Sequence, residues 1–166
     1  MSLYFTIPFL VLLAIFQATA APQISIASGH PDLLLLCVMS WELVQARGEG
    51  YAWALIGGIG LDLLGGGPFG ASILSLLAVT LVADALGGGL FRHRVVVPLI
   101  TAFASTFAFH GVYLILLTVF GWKIDLGDAI VRVMLPSALI NVALSPIAYR
   151  LMAALHRRMN PPGLSW

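Results

Sequence analysis

The residues with the clearest chemical possibilities lie in the segment GLDLLGGGPFG, residues 60–70. Within it, Gly65, Gly67 and Gly70 match the G-x-G-x-x-G spacing of a dinucleotide-binding loop. That loop requires a preceding strand, a following helix and a soluble cleft for the cofactor. Here the flanking sequence is apolar, and Pro68 would interrupt a loop that cradles phosphates with its backbone N–H groups. The spacing therefore does not predict a dinucleotide site.

Other catalytic or ligand-binding patterns are not evident in the sequence. The four histidines are scattered and the single cysteine, Cys37, lies in an apolar run. No Ser-His-Asp, Cys-His or metal-ligand spacing has a supporting motif. The net charge is +1, and the basic residues lack interleaved aromatic residues, which argues against nucleic-acid binding. We predict no catalytic residues, no metal and no cofactor, and hence a protein that is not an enzyme.

The composition predicts that the natural solvent of the chain is a lipid bilayer. Of its 166 residues, 60% are hydrophobic and 9% are charged, and the mean hydropathy is +1.02. Soluble domains contain about 25% charged residues. A soluble fold of this size cannot bury so much apolar surface. We therefore predict a single integral membrane domain over residues 1–166.

Apolar segments that resemble membrane spans occur six times along the chain. A spanning helix needs about 20 residues, and the second and third segments are shorter than this. They are either two short spans or a re-entrant pair, and we favour two spans. The first segment ends in a sequence similar to a signal-peptidase site, but no basic residue precedes it, so we favour a retained helix. The predicted spans are 3–21, 33–46, 51–66, 71–90, 95–122 and 128–155.

The distribution of basic residues favours an even number of spans with both termini in the cytoplasm. With this orientation the outer loops hold only Lys123, with Arg132 just inside the last span. An excess of basic residues on the cytoplasmic side is typical of membrane proteins. The sequence thus predicts an all-α, polytopic membrane protein with six transmembrane helices and short loops. The cytoplasmic loops and tail would hold Arg47, Arg92, Arg94, Arg157 and Arg158.

Asp62 lies among small residues that share one face of the third predicted helix. Small residues at helical spacing allow close approach between helices in lipid, and a charged side chain in a span usually faces the protein interior. We therefore predict that this face packs inside the bundle, or against a partner, and that the chain turns through Gly65 to Gly70. The small residues at this spacing are Ala54, Gly58, Gly65 and Gly66.

The predicted depth of Asp62 in the membrane indicates which basic residue could pair with it. Asp62 and Arg132 each lie about four residues, or roughly 6 Å, below the outer boundary. This predicts an Asp62–Arg132 ion pair, and the alternative is that Asp62 accepts hydrogen bonds from backbone or water. His110 and Asn141 lie near mid-depth in the last two spans, where an interhelical hydrogen bond is favoured over a proton relay. Pro136 and Pro146 are expected to kink the last span.

Three stretches of the chain together resemble the MreD family of bacterial rod-shape proteins. They are Pro31-Asp32 followed by LLLLCVMSW, the central GGIGLDLLGGGPFGASILSLL, and LINVALSPIAYRLMAAL near the C-terminus, with Asn141 and Pro146. The resemblance implies a non-enzymatic scaffold of the cell-elongation machinery in the bacterial inner membrane. It implies binding to MreC, and through MreC an association with the class B penicillin-binding protein and RodA. It gives Asp62 with its glycine face, Pro31-Asp32, Asn141 and Pro146 roles in packing or partner binding.

An alternative resemblance leads to a different function. The chain is also similar in size and predicted helix layout to the substrate-binding components of energy-coupling-factor vitamin transporters. Such a component would bind a small solute, and its outer loops would supply polar residues over a cavity. The outer loops here are only modestly polar, which favours the scaffold. We also expect membrane lipid to contact the protein.

Overall fold

The structure, a computed structural model, describes residues 3–19, 29–45, 48–87, 96–123 and 125–159. Its elements in these ranges are helices, and each of the six predicted apolar segments contains one. Arg47, Arg92 and Arg94, which support the predicted orientation, lie outside the described residues. The first five helices are α1 (Leu3–Thr19), α2 (Leu33–Gln45), α3 (Glu49–Leu64), α4 (Ala71–Gly87) and α5 (Val96–Val119).

The last helix, α6, is continuous but irregular near its start. It comprises α-helical Leu126–Ala129, π-helical Ile130–Met134 and α-helical Leu135–Met159. In the π-helical part, the N–H of Leu135 donates to the carbonyl of Ile130, five residues earlier. Pro136 follows directly, and because proline lacks an N–H and its ring crowds the preceding turn, it explains why regular α-helical bonding fails here.

Helix α2 is the centre of the bundle and packs against all five other helices. Most of its residues are buried, including the fully enclosed Leu34, Val38 and Met39. Around it, α1 contacts α3, α3 contacts α4, α4 contacts α5 and α5 contacts α6. The neighbours therefore form an open ring around α2, and the ends of that ring are α1 and α6.

Two stacked tryptophans join α2 to α3 at the end of the bundle where α6 terminates. The rings of Trp41 and Trp53 are 4.5 Å apart between centroids and 9° from parallel, and both side chains are almost fully buried. His156 of α6 meets Trp41 edge-on at 5.8 Å. Aromatic pairs add about 0.5–1.5 kcal/mol beyond the area they bury, so this contact fixes α2, α3 and α6 relative to one another.

Helix length separates two of the helices from the rest. Val96–Val119 and Gly127–Met159 are long and apolar enough to cross a membrane by themselves. The helices Thr6–Thr19, Leu33–Gln45 and Ala71–Gly87 are apolar but shorter. Large apolar side chains such as Leu12, Leu63 and Leu139 lie exposed on the outside of the bundle, which is the surface expected of a helical protein surrounded by lipid.

Candidate functional site

Carboxylates are buried at three places in the described part of the bundle. Asp32 and Asp62 are each 8% exposed and Glu42 is 1% exposed. Because a buried carboxylate without partners costs several kcal/mol, each one requires hydrogen-bond donors. Two of these carboxylates accept hydrogen bonds from backbone N–H groups, and the third is held mainly by side chains.

Asp62, near the end of α3, caps the first turn of α4. Its Oδ2 accepts a hydrogen bond from the N–H of Gly70 at 2.8 Å, and its Oδ1 accepts one from Ser72 at 2.9 Å. The first N–H groups of a helix have no partner within the helix, and a negative charge is favourable there. The carboxylate of Asp62 therefore stabilises the turn that the glycine-rich segment forms before α4. Gly70 in this turn has a positive φ of 98°.

The predicted ion pair between Asp62 and Arg132 is wrong. Arg132 instead lies 3.3 Å from Asp128, measured from Nε to Oδ1, one turn earlier on its own helix. The side chains of Arg132 and Asp128 are 71% and 61% exposed, whereas Asp62 is buried. Similar depth along the bundle did not bring the two groups together, because Asp62 faces α4 and Arg132 faces outward.

The small residues before Asp62 provide close contact between α3 and its neighbours. Ala54 and Gly58 are buried, and a Cβ placed on Gly58 would lie 2.6 Å from the Cα of Ile73 in α4. Such a distance leaves no room for any side chain at Gly58. Gly65 and Gly66 are exposed instead, because α3 ends at Leu64 and these glycines form the turn that follows.

Glu42 does for α3 what Asp62 does for α4. It lies in α2, and its carboxylate accepts hydrogen bonds from the N–H groups of Gly48 at 3.2 Å and Gly50 at 2.8 Å, at the start of α3. The sequence analysis did not identify Glu42 as a site residue. An acidic residue in an apolar helix, followed within eight residues by a glycine-containing turn, is the pattern that both capping acids share.

Asp32 and Asn141 form the centre of the third polar site, which joins distant parts of the chain. Asn141 accepts a hydrogen bond from the backbone N–H of Asp32 at 2.9 Å through Oδ1. Its Nδ2 donates to Asp32 Oδ2 at 3.0 Å and also to Thr106 Oγ1 of α5 at 3.1 Å. The amide is fully buried, so one asparagine connects the start of α2, the middle of α5 and α6.

Two further side chains complete this group, which we call the Asp32 cluster: Gln17, Asp32, Thr106, His110 and Asn141. Gln17 of α1 donates from Nε2 to Asp32 Oδ1 at 3.3 Å and accepts from the N–H of Leu34 at 2.9 Å. His110 Nε2 lies 3.9 Å from Asp32 Oδ2. Every member comes from a different helix or turn except Thr106 and His110, which are one turn apart on α5.

The contact between His110 and a backbone carbonyl indicates which ring nitrogen carries a hydrogen. Its Nδ1 is 3.0 Å from the backbone carbonyl of Thr106, which can only accept, so Nδ1 carries the proton. A neutral ring would then direct the lone pair of Nε2 at the carboxylate of Asp32, whereas a protonated ring would form an ion pair. Burial raises the pKa of Asp32, while His110 and the hydrogen bond from Asn141 act in the opposite direction.

The structure brings together some of the predicted site residues and separates others. Asp32 and Asn141, predicted at unrelated places, are in direct contact, and Pro31 is buried directly before Asp32. Pro146 lies inside α6 more than one turn beyond Asn141 and outside the cluster. Gln17 and Thr106 were missed, although a lone amide or hydroxyl in an apolar helix is expected to find a polar partner.

The hydrogen bonds of the cluster give it a structural role. Within the described ranges, no group of three or more His, Cys, Asp or Glu side chains is arranged to hold a metal ion. What the geometry provides is a buried carboxylate held by two amide side chains, with the imidazole of His110 3.9 Å from it. This arrangement ties the α1–α2 junction to α5 and α6.

A bundle of apolar helices, with exposed aliphatic side chains outside and hydrogen-bonded carboxylates inside, is consistent with a helical membrane protein. The family model of the rod shape-determining protein MreD matches residues 1–159. The chain therefore belongs to the MreD family of rod shape-determining membrane proteins. No curated protein and no solved structure matches it. The expected similarity to energy-coupling-factor components has no support from these comparisons.

Proposed function

We propose that this protein is a non-enzymatic scaffold of the cell-elongation complex in the bacterial inner membrane. It would bind MreC, and through MreC it would support the control of peptidoglycan synthesis by the class B penicillin-binding protein and RodA. Membership of the MreD family supports the role in rod shape. The observation that carries the scaffold role is that the buried polar groups are used to hold helices together.

We also propose that all six helices cross the membrane as one domain, with both termini in the cytoplasm. Helices α2 and α3 measure about 20 and 24 Å at 1.5 Å per residue, which is less than the roughly 30 Å of hydrocarbon. The position of α2 favours this arrangement, because a helix enclosed by five others needs little contact with lipid. The capping carboxylates Glu42 and Asp62 also satisfy backbone groups at helix ends, as a membrane interior requires.

The surface proposed for the membrane helix of MreC is a groove between α1 and α6. It measures about 440 Å³, and α2 forms its floor through Leu36 and Cys37. The groove lies where the ring of helices around α2 is open. A single helix placed there would cover the remaining side of α2, and Ala148 in the α6 wall leaves room for close approach.

Purification from native membranes in mild detergent, followed by mass spectrometry, tests this function. We expect MreC to be recovered together with the wall-synthesis enzymes. Ala148→Trp, which fills the groove, should reduce the recovery of MreC, while Leu139→Trp on the exposed side of the same helix should not. Recovery of an ATPase-linked coupling protein or of a bound vitamin would instead show a transport component.

A further inference from the structure

We propose that a second cavity, between α5 and the π-helical part of α6, is a binding site for one acyl chain of an anionic phospholipid. The cavity measures about 270 Å³. Cavities of about 150 Å³ with apolar walls are known to take up benzene, so this space accepts a larger apolar group. The inference relies on the proposed membrane placement but not on any protein partner.

The walls of the cavity are mostly apolar, with His110 as a polar member, and belong to two helices. On α5, Phe109, Tyr113 and Leu117 follow one another at successive helical turns, and on α6 the wall includes Ala129 and Met134. The lining thus extends over about 12 Å along α5 at 1.5 Å per residue. A mostly apolar cavity between two membrane helices fits a hydrocarbon chain better than a compact polar ligand.

The π-helical stretch is the second observation that points to this site. Ala129, Val133 and Met134 of the lining lie within or directly beside Ile130–Met134. π-helical turns are rare and occur frequently at functional sites. Pro136 explains how the π-helical turn forms. The cavity beside this turn indicates that the irregular backbone makes room for a ligand.

The basic residue that precedes Val133 of the lining, Arg132, indicates the headgroup. Arg132 lies next to Val133 on the same helix, and its side chain is 71% exposed, as part of an exposed pair with Asp128. An exposed pair of this kind is weak, so the guanidinium remains available to a phosphate, which it binds in bidentate geometry. An apolar site for a hydrocarbon chain beside an exposed guanidinium is the combination that an anionic phospholipid would fill.

The inner wall connects this site to the Asp32 cluster. His110 lines the cavity and also lies 3.9 Å from the carboxylate of Asp32. An acyl chain against the imidazole would exclude water from that side of the cluster. Occupancy of the cavity and the stability of the cluster are therefore expected to be linked.

Photocrosslinking in nanodiscs tests the proposal. The probe is phosphatidylglycerol with a diazirine on one acyl chain, diluted in phosphatidylcholine, and the labelled residues are mapped by mass spectrometry. We expect labelling to concentrate on residues 109–117 and 129–134. Ala129→Phe, which fills the cavity, should lower that labelling roughly tenfold, because the added ring occupies the space of the chain.

A matched variant and a second probe make the outcome interpretable. Val131→Phe adds the same ring on the exposed side of the same helix and should leave the labelling unchanged. Arg132→Gln should reduce the preference for phosphatidylglycerol over an identical phosphatidylcholine probe roughly threefold. Equal labelling of Leu63, Leu139 and the cavity, unaffected by Ala129→Phe, would overturn the site while still showing membrane insertion. An absence of labelling on every helix would overturn the membrane placement itself.

Discussion

The two capping acids, Glu42 and Asp62, and the Asp32 cluster meet the same physical demand in opposite ways. Each capping acid binds backbone N–H groups between six and ten residues further along the chain. Asp32 binds side chains up to 109 residues away. The capping acids therefore stabilise local connections between consecutive helices, whereas the Asp32 cluster determines how the first and last parts of the chain come together.

The largest expected effect is on Asn141, because Asp32 depends on it for two hydrogen bonds. Asn141→Ala should lower the free energy of unfolding by about 3 kcal/mol, since it leaves a buried carboxylate and a buried N–H without this partner. Denaturation in mixed detergent micelles measures the change. Ser145→Ala, which removes only a bond to a carbonyl on the same helix, should cost less than about 1 kcal/mol. Equal losses of stability in the two variants would show that the Asp32 cluster contributes no more than an ordinary side-chain hydrogen bond.

Gly58 is expected to give the next largest effect, and it tests the packing on which the capping acids depend. Gly58→Ala should destabilise the bundle by about 2 kcal/mol, because the new methyl group would overlap the backbone of Ile73. At Gly111, in the middle of α5, a Cβ would meet no neighbouring atom within 4 Å, and Gly111→Ala should stabilise the protein by about 0.5 kcal/mol. Thermal denaturation in detergent compares the two. A neutral Gly58→Ala would mean that α3 and α4 are not in close contact.

Asp62 should show a smaller loss than Asn141. Asp62→Asn replaces two acceptor oxygens with one, so either Gly70 or Ser72 loses its partner, at a cost of about 1 kcal/mol. In a double-mutant cycle, Arg132→Gln should show no coupling to Asp62→Asn above about 0.3 kcal/mol. Coupling above 1 kcal/mol would show that Asp62 and Arg132 interact directly, contrary to the structure.

The smallest expected effect is the change with pH of the stability that Asp32 contributes. This change distinguishes Asp32 from an exposed carboxylate. Because the pKa of Asp32 is raised from its ordinary value of 3.8, the folded state binds a proton more tightly than the unfolded state does. Its contribution to stability is present in full below pH 3.8 and is lost as the pH rises through the raised pKa. The stability of the native protein relative to Asp32→Asn should therefore fall as the pH rises through that window. A difference that does not vary with pH would contradict the raised pKa.

The sequence predicted the local elements well because each depends on residues close together in the chain. Runs of apolar residues gave the six helical segments, and Gly58 four residues before Asp62 gave the packed face of α3. The turn through Gly66 and Gly70 followed from glycine and proline chemistry. Within the described residues, α3 and α5 end earlier than predicted, at Leu64 and Val119 instead of residues 66 and 122.

The contacts between residues distant in the chain could not be predicted from the sequence, for a physical reason. Depth in the membrane is a single coordinate, and it cannot show which way a side chain points around its helix. Asp62 and Arg132 share a depth yet face different surroundings, and the backbone N–H groups of the next turn were closer donors. The contact between Asp32 and Asn141 requires knowledge of which helices are neighbours, and the order of helices around α2 is not written in any local pattern.

The most direct test of the scaffold is disulfide crosslinking from the native Cys37 in the floor of the groove. As Cys37 is the single cysteine of the chain, cysteines placed one at a time along the membrane helix of MreC report contact with the groove. We predict crosslinks in native membranes at only one or two positions on a single face of that helix, because a disulfide joins Cα atoms no more than about 7 Å apart, and their loss in Cys37→Ser. If MreC co-purifies but crosslinks at no position or equally at all of them, the groove is not where its helix packs.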